Sequence, residues 1–175
     1  MAVFFTIGHS TRSIEEFAGI LQDAKIETVV DVRTVPRSRT NPQFNADRLP
    51  ASLREHGIGY VHLAELGGLR GRQSTGEASP NSFWDNKSFR NYADYAMSEP
   101  FRAGLRKLID LGEAAPSAIM CAEAVWWRCH RRIIADYLMS AGETVIHLLA
   151  PGKSQPAQLT PAARQSEPGV LTYRQ

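Results

Sequence analysis

The sequence predicts an α/β fold: a single domain built on a mostly parallel sheet of about five strands, with helices on both faces in a Rossmann-like three-layer arrangement. Two observations predict it. Short runs rich in Val, Ile, Phe and Tyr alternate with longer segments whose apolar residues recur at three- and four-residue steps. The 175 residues, 43% hydrophobic and 22% charged, also suit one domain with its own core.

The first strand is Val3 to Ile7. Ser13-Ile14-Glu15-Glu16 then reads as a capping box, and a helix is expected from Ile14 to Ala24 with Ile14, Phe17, Ala18 and Leu21 on one face. A second strand, Thr28 to Val32, leads to a helical stretch from Pro50 to His56 and a third strand, Gly59 to Leu63. Residues Leu66 to Asp85 are rich in Gly, Ser and Asn without periodicity, and read as a mobile loop over the site. Helices at Phe89 to Met97 and Pro100 to Leu111 precede a fourth strand, Ser117 to Cys121. A helix from Cys129 to Ser140 and a fifth strand, Thr144 to Leu149, complete the domain, which is bounded at residues 1–150. Residues 151–175, rich in Pro, Gln and Ala, read as an irregular C-terminal arm on the surface.

Composition narrows the function classes. A net charge of +2 lacks the strongly basic signature of a general nucleic-acid binder. No apolar run is long enough for a membrane span or flanked as a signal peptide would be, so a cytoplasmic protein without membrane partners is expected. Cys121 and Cys129 are expected to be reduced thiols. There is neither a Gly-rich dinucleotide fingerprint nor a phosphate-cradling lysine motif, so no cofactor is expected.

In open parallel sheets ligands bind beyond the carboxyl ends of the strands. Here those ends carry Gly8-His9-Ser10-Thr11-Arg12, Asp31-Val32-Arg33, Glu65-Leu66-Gly67-Gly68 and Cys121-Ala122-Glu123, which collects the unusual polar residues on one edge. The motifs Ile7-Gly8-His9-Ser10, Val30-Asp31-Val32-Arg33, Pro36-Arg37-Ser38-Arg39, Asn41-Pro42-Gln43-Phe44, Leu66-Gly67-Gly68, Met120-Cys121-Ala122-Glu123 and Cys129-His130-Arg131 resemble those of a widespread prokaryotic family, domain of unknown function 488. The resemblance runs from Thr6 to about Leu149 and implies that these polar positions form one site, without naming a reaction.

The chemistry therefore has to come from the residues. Arg33, Arg37 and Arg39 share a loop with no acidic residue between Asp31 and Asp47, and Arg128, Arg131 and Arg132 are spaced to share one side of a helix amino-terminus. Guanidinium forks suit phosphate, so the expected partner is a phosphate-bearing ligand, a nucleotide or nucleic acid. Phe44, Phe83, Trp84, Trp126 and Trp127 lie in loops where a base could stack, against the commoner role of such residues as core anchors. Ser10, Asp31, Cys129 and His130 complete the expected binding set. Glu123, beside tryptophans at a strand end, and His9, after a glycine turn, are the expected proton-moving groups of a hydrolase or transferase. Cys121 offers a different chemistry, since a strand end followed by a helix amino-terminus lowers a thiol's pKa and makes a nucleophile for sulfur or phosphoryl transfer. The Asp-Val-Arg strand end resembles that of rhodanese-like sulfurtransferases, whereas Trp127 occupies the position at which cysteine-dependent phosphatases carry their arginine. Core filling is the competing role for Cys121, and a non-catalytic nucleic-acid-binding module is the third reading. No metal site is expected, because the cysteine spacing is not that of a zinc knuckle.

Overall fold

The computed structural model describes residues 2–73 and 78–175. Along the chain run β1 (Val3–Gly8), α1 (Ile14–Asp23), β2 (Thr28–Asp31), α2 (Leu49–Arg54), β3 (Gly59–His62), α3 (Lys87–Tyr95), α4 (Glu99–Ala114), β4 (Ser117–Cys121), α5 (Arg131–Ser140), β5 (Thr144–Ala150), β6 (Lys153–Pro156), β7 (Ala163–Glu167) and β8 (Val170–Tyr173). Ser13 caps α1 by accepting a hydrogen bond from the Glu16 amide at 3.1 Å. The reciprocal half of the box is not made, because Glu16 pairs with Arg12 at 3.2 Å instead.

The main sheet has the order β3-β2-β4-β1-β5-β6. Its first five members are parallel, and β6 joins antiparallel to β5. Helices cover both faces, so the three-layer α/β class is the architecture observed. The central strand β4 has no exposed residue, which explains its nearly unbroken apolar run. Its side chains alternate: Ala118 and Met120 meet Phe17, Leu21, Leu49 and Leu53 of α1 and α2, whereas Ile119 and Cys121 join the core of α3, α4 and α5. That alternation puts the Cys121 thiol on the face from which α5 descends.

Two expectations need correction. Residues 151–175 are not an irregular arm. β6 extends the sheet, and the β7–β8 hairpin buries Ala163, Val170, Leu171 and Tyr173. Polar anchors on α5 hold it: buried Asp136 accepts from the Tyr173 hydroxyl and the Thr160 amide, both at 2.9 Å, and Tyr137 Oη accepts from the Leu171 amide at 3.1 Å. The second half of the expected lid is also docked. Asn81 is fully buried, accepting from the Tyr173 amide at 2.9 Å and donating to Asp94 at 2.7 Å, and Trp84 stacks on Phe89. Residues 74–77 of that loop lie outside the described residues.

Removing the Tyr173 hydroxyl leaves an oxygen of buried Asp136 without its donor, a loss of about 1–3 kcal/mol. Tyr173→Phe should therefore melt several degrees lower, at roughly 2–4 °C per kcal/mol for a chain of this length. Differential scanning calorimetry checks it, and an unchanged melting temperature would show that the hairpin is not anchored there.

Candidate active site

Because β4 lies between β1 and β2, the loops leaving these three strands stand side by side. They pack with no room for a side chain at Gly8, where a Cβ would come within 1.8 Å of the Glu123 carbonyl oxygen. The His9 and Ser10 amides donate to the carbonyls of Cys121 (2.8 Å) and Ala122 (3.0 Å), and Ser10 accepts a left-handed φ of 50° to turn toward α1. Ser10 thus braces the loop after β4 through its backbone.

The structure separates the arginines that the sequence groups together. Arg33 spends its donors internally: Nε and Nη2 fork onto the two oxygens of fully buried Asp31 at 2.9 and 2.7 Å, and Nη2 also reaches the Phe44 carbonyl at 2.7 Å. Tyr60 donates to the same carboxylate. The last nitrogen, Nη1, lies 3.4 Å from His9 Nε2. A guanidinium can only donate, so His9 presents a bare Nε2 and carries its proton on Nδ1, which donates to the Ser10 carbonyl at 2.8 Å. Burial, and the neighbouring Arg33 charge, lower the His9 pKa, and the ring stacks on Phe44 away from the cleft.

Arg131 turns inward as well. It is 1% exposed and donates to Thr6 Oγ1 at 3.1 Å and to the Glu123 carbonyl at 2.7 Å, leaving Nε without a partner. Arg132 lies over the Trp84 ring. The expected row of three guanidiniums does not form, because α5 begins at Arg131 and Arg128 belongs to a separate 3-10 turn, Trp126–Arg128. Arg37 and Arg128 remain exposed and line a cleft of about 440 Å³, while Arg39 is exposed outside that lining. The Glu123 side chain is exposed rather than enclosed beside the tryptophans. Of the aromatics, Phe44 and Trp84 are buried, Phe83 is half-buried against the core, and Trp126 stacks on His147 at 4.6 Å; Trp127 alone among these five is an exposed ring.

What the fold does bring together is a pair of thiols. Cys121 Sγ, ending β4, lies 2.6 Å from Cys129 Sγ, just before α5, and both line the cleft. Cys129 Sγ is 3.5 Å from His130 Nδ1 and accepts the Arg131 amide at 3.4 Å. His130 Nε2 lies 2.8 Å from the Val32 carbonyl oxygen. That oxygen can only accept, so Nε2 carries the proton and the Nδ1 lone pair faces the thiol. Gly68 makes the ring's position possible, since a Cβ there would come within 2.5 Å of His130 Nδ1.

The two thiols differ in character. Burial, followed by its hydrogen bond to Cys129, pushes Cys121 well above the ordinary thiol range. Burial would raise Cys129 too, but the Cys121 hydrogen bond, the His130 ring and the Arg131 charge outweigh it and hold Cys129 well below that range. A helix starting at Cys129, as the sequence suggests, would hold Cys129 and His130 in regular helical positions; with α5 starting at Arg131, both precede the helix. A second feature missed from the sequence is a polar pair buried between β1 and β5, where Thr6 Oγ1 lies 2.6 Å from His147 Nδ1. Its signal is a Thr within β1 and a His within β5, each flanked on both sides by apolar residues. Burial and the Arg131 charge lower the His147 pKa to about 4.

Among the described residues, no group of three or more His, Cys, Asp or Glu side chains is placed to hold a metal ion, and no helix is long and apolar enough to cross a membrane. A family model described as "Domain of unknown function DUF488" matches residues 13–138, a span that includes Asp31, Arg33, Cys121, Cys129 and His130. No curated protein and no solved structure matches the chain.

Two outcomes are expected. Arg33→Ala leaves Asp31 as an unpaired buried charge, at a cost of about 3–5 kcal/mol, so a large fall in melting temperature without any ligand is predicted; stability equal to wild type would restore Arg33 to ligand binding. His9 and His147 titrate lower in the folded chain than the usual 6.5, so the unfolded chain binds more protons below that pH. Their contribution is therefore constant above pH 6.5 and destabilising as the pH falls toward about 4. Over that interval His147→Gln should lose less melting temperature than wild type, and equal losses would show that His147 titrates normally.

Proposed function

The chain belongs to the family Domain of unknown function DUF488, whose description assigns no reaction, and on that premise we propose that it is a thiolate-dependent transferase acting on an anionic substrate. The observation that carries this reading is the 3.5 Å approach of Cys129 Sγ to a His130 ring whose Nδ1 is free to take the proton, because Nε2 is tied to the Val32 carbonyl. It is the geometry of an activated nucleophile with an oriented base. The Arg131 amide and the amino-terminus of α5 add favourable partial charge to the thiolate. Cys129, rather than Cys121, is the nucleophile.

In the first step the Cys129 sulfur bonds to the electrophilic atom of the substrate. The leaving group departs with the bonding electron pair and takes a proton from the His130 imidazolium. An acceptor then displaces the transferred group and returns the thiolate. Arg37 and Arg128, the two guanidiniums of the cleft without an internal role, would bind a phosphate or carboxylate on the substrate. Acid/base action on a nucleotide or nucleic acid by Glu123 and His9 has less support, because the first is exposed and the second is enclosed behind Arg33. A non-catalytic nucleic-acid module would find only Arg37 and Arg128 free within the cleft, with Arg39 exposed outside it.

The test is alkylation of the reduced protein with iodoacetamide, followed from pH 5 to 9 with the site of labelling read by mass spectrometry. Cys129 should be modified first, with a rate that stays high below pH 8, and His130→Ala should move the midpoint upward. The anionic reagent iodoacetate should lose severalfold in rate, relative to iodoacetamide, when Arg37 and Arg128 are both replaced by Ala. First labelling at Cys121, or an ordinary thiol profile for Cys129, would reject the assignment.

A further inference from the structure

We infer that Cys121 is a resolving thiol, so that the site closes through a reversible Cys121–Cys129 disulfide and its substrates contain a sulfur–sulfur bond carried on a small anionic molecule. This rests on Cys129 being the nucleophile, extends that reading to the class of bond attacked, and makes Cys121, in place of an outside molecule, the acceptor in the second step.

The argument begins with what a covalent Cys129 intermediate would meet. Its nearest nucleophile is Cys121, already 2.6 Å away and lining the same cleft. A group attached to Cys129 through sulfur would therefore be displaced within the site before an outside acceptor could enter. The fold holds the pair in this relation from two independent elements. Cys121 is the last residue of the buried central strand, and Cys129 is fixed ahead of α5 by its contacts with His130 and Arg131. The seven residues between them, 122–128, are themselves pinned, through the Glu123 carbonyl to Arg131 and the Ala122 carbonyl to Ser10. Neither thiol needs to travel to reach the other.

The chemistry balances without another reagent. The Cys129 thiolate attacks one sulfur of R–S–S–R, forming Cys129–S–S–R and releasing R–S⁻, which takes the proton from His130. The Cys121 sulfur then attacks the Cys129 sulfur, its proton leaves with the second R–S⁻, and the intramolecular disulfide remains. Two electrons pass from the thiol pair to the substrate, giving two R–SH. An external dithiol of the same exchange chemistry reduces the pair again. The exposed Arg37 and Arg128 at the cleft favour an R group that bears carboxylate or phosphate, and the 440 Å³ volume suits a small molecule over a folded protein.

The probe is 5,5′-dithiobis(2-nitrobenzoate), a disulfide with a carboxylate on each ring that releases a coloured thiolate at every exchange. The reduced 175-residue chain should release two equivalents from this thiol pair, keep no adduct, and lose two hydrogens in mass; dithiothreitol should restore the reduced mass. Cys121→Ser and Cys121→Ala should each release one equivalent and retain one adduct on Cys129. A wild-type chain that keeps its adduct on Cys129 while reacting as fast as these variants would overturn the resolving role and leave Cys129 as nucleophile. A Cys129 that does not react in any of the three proteins would remove the nucleophile and the pair together.

Discussion

A buried cation without a carboxylate organises this site. Arg131 is almost fully enclosed, and its hydrogen-bond partners, the Thr6 hydroxyl and the Glu123 carbonyl, are neutral. Removing a guanidinium from water is costly unless negative charge compensates it. The groups at hand are the two cysteines, and in the proposed mechanism a Cys129 thiolate offsets the cost. The same charge makes a second cation nearby expensive, which together with burial keeps His147 neutral. Thr6 on β1, the loop after β4 and the start of α5 are thus tied to one guanidinium, and the dithiol lies at their junction.

The contrast with Arg33 shows how much context decides. Arg33 is just as enclosed but has the Asp31 carboxylate, met by a two-pronged fork, and so forms a neutral structural unit at the end of β2. One arginine is satisfied by a carboxylate within the fold, and the other has only neutral partners and the thiol pair beside it. Both appear in the sequence as arginines at the edge of a sheet, and local spacing cannot tell which is which.

The sheet, its parallel sense and the edge that carries the site were legible because β-branched and aromatic runs alternate with helical periods and end in polar residues. What was not legible depended on partners distant in sequence. Thr6 meets His147 across 141 positions, and the direction of Arg131 follows from where α5 starts, two residues later than the periodicity suggested. The β7–β8 hairpin was missed because Ala163–Glu167 has four exposed residues out of five, so its burial rests on β8 and on anchors supplied by α5. Asn81 and Trp84 were read as loop residues for the same reason, since the pairing that buries them comes from Tyr173.

The strand order also governs how the chain can fold as it is synthesised. Among the described residues β1 pairs with β4 and β5, while β2 pairs with β3 and β4. Until Ser117–Cys121 has left the ribosome, β1 has no neighbouring strand, and the β2–β3 pair is an isolated parallel ribbon. More than a hundred residues separate the apolar strand β1 from its partner β4, a long-range pairing of the kind that slows folding and exposes intermediates to aggregation. Insertion of β4 then joins β1 to the β2–β3 pair and delivers the first of the two thiols in the same event, so this site cannot precede the centre of its scaffold.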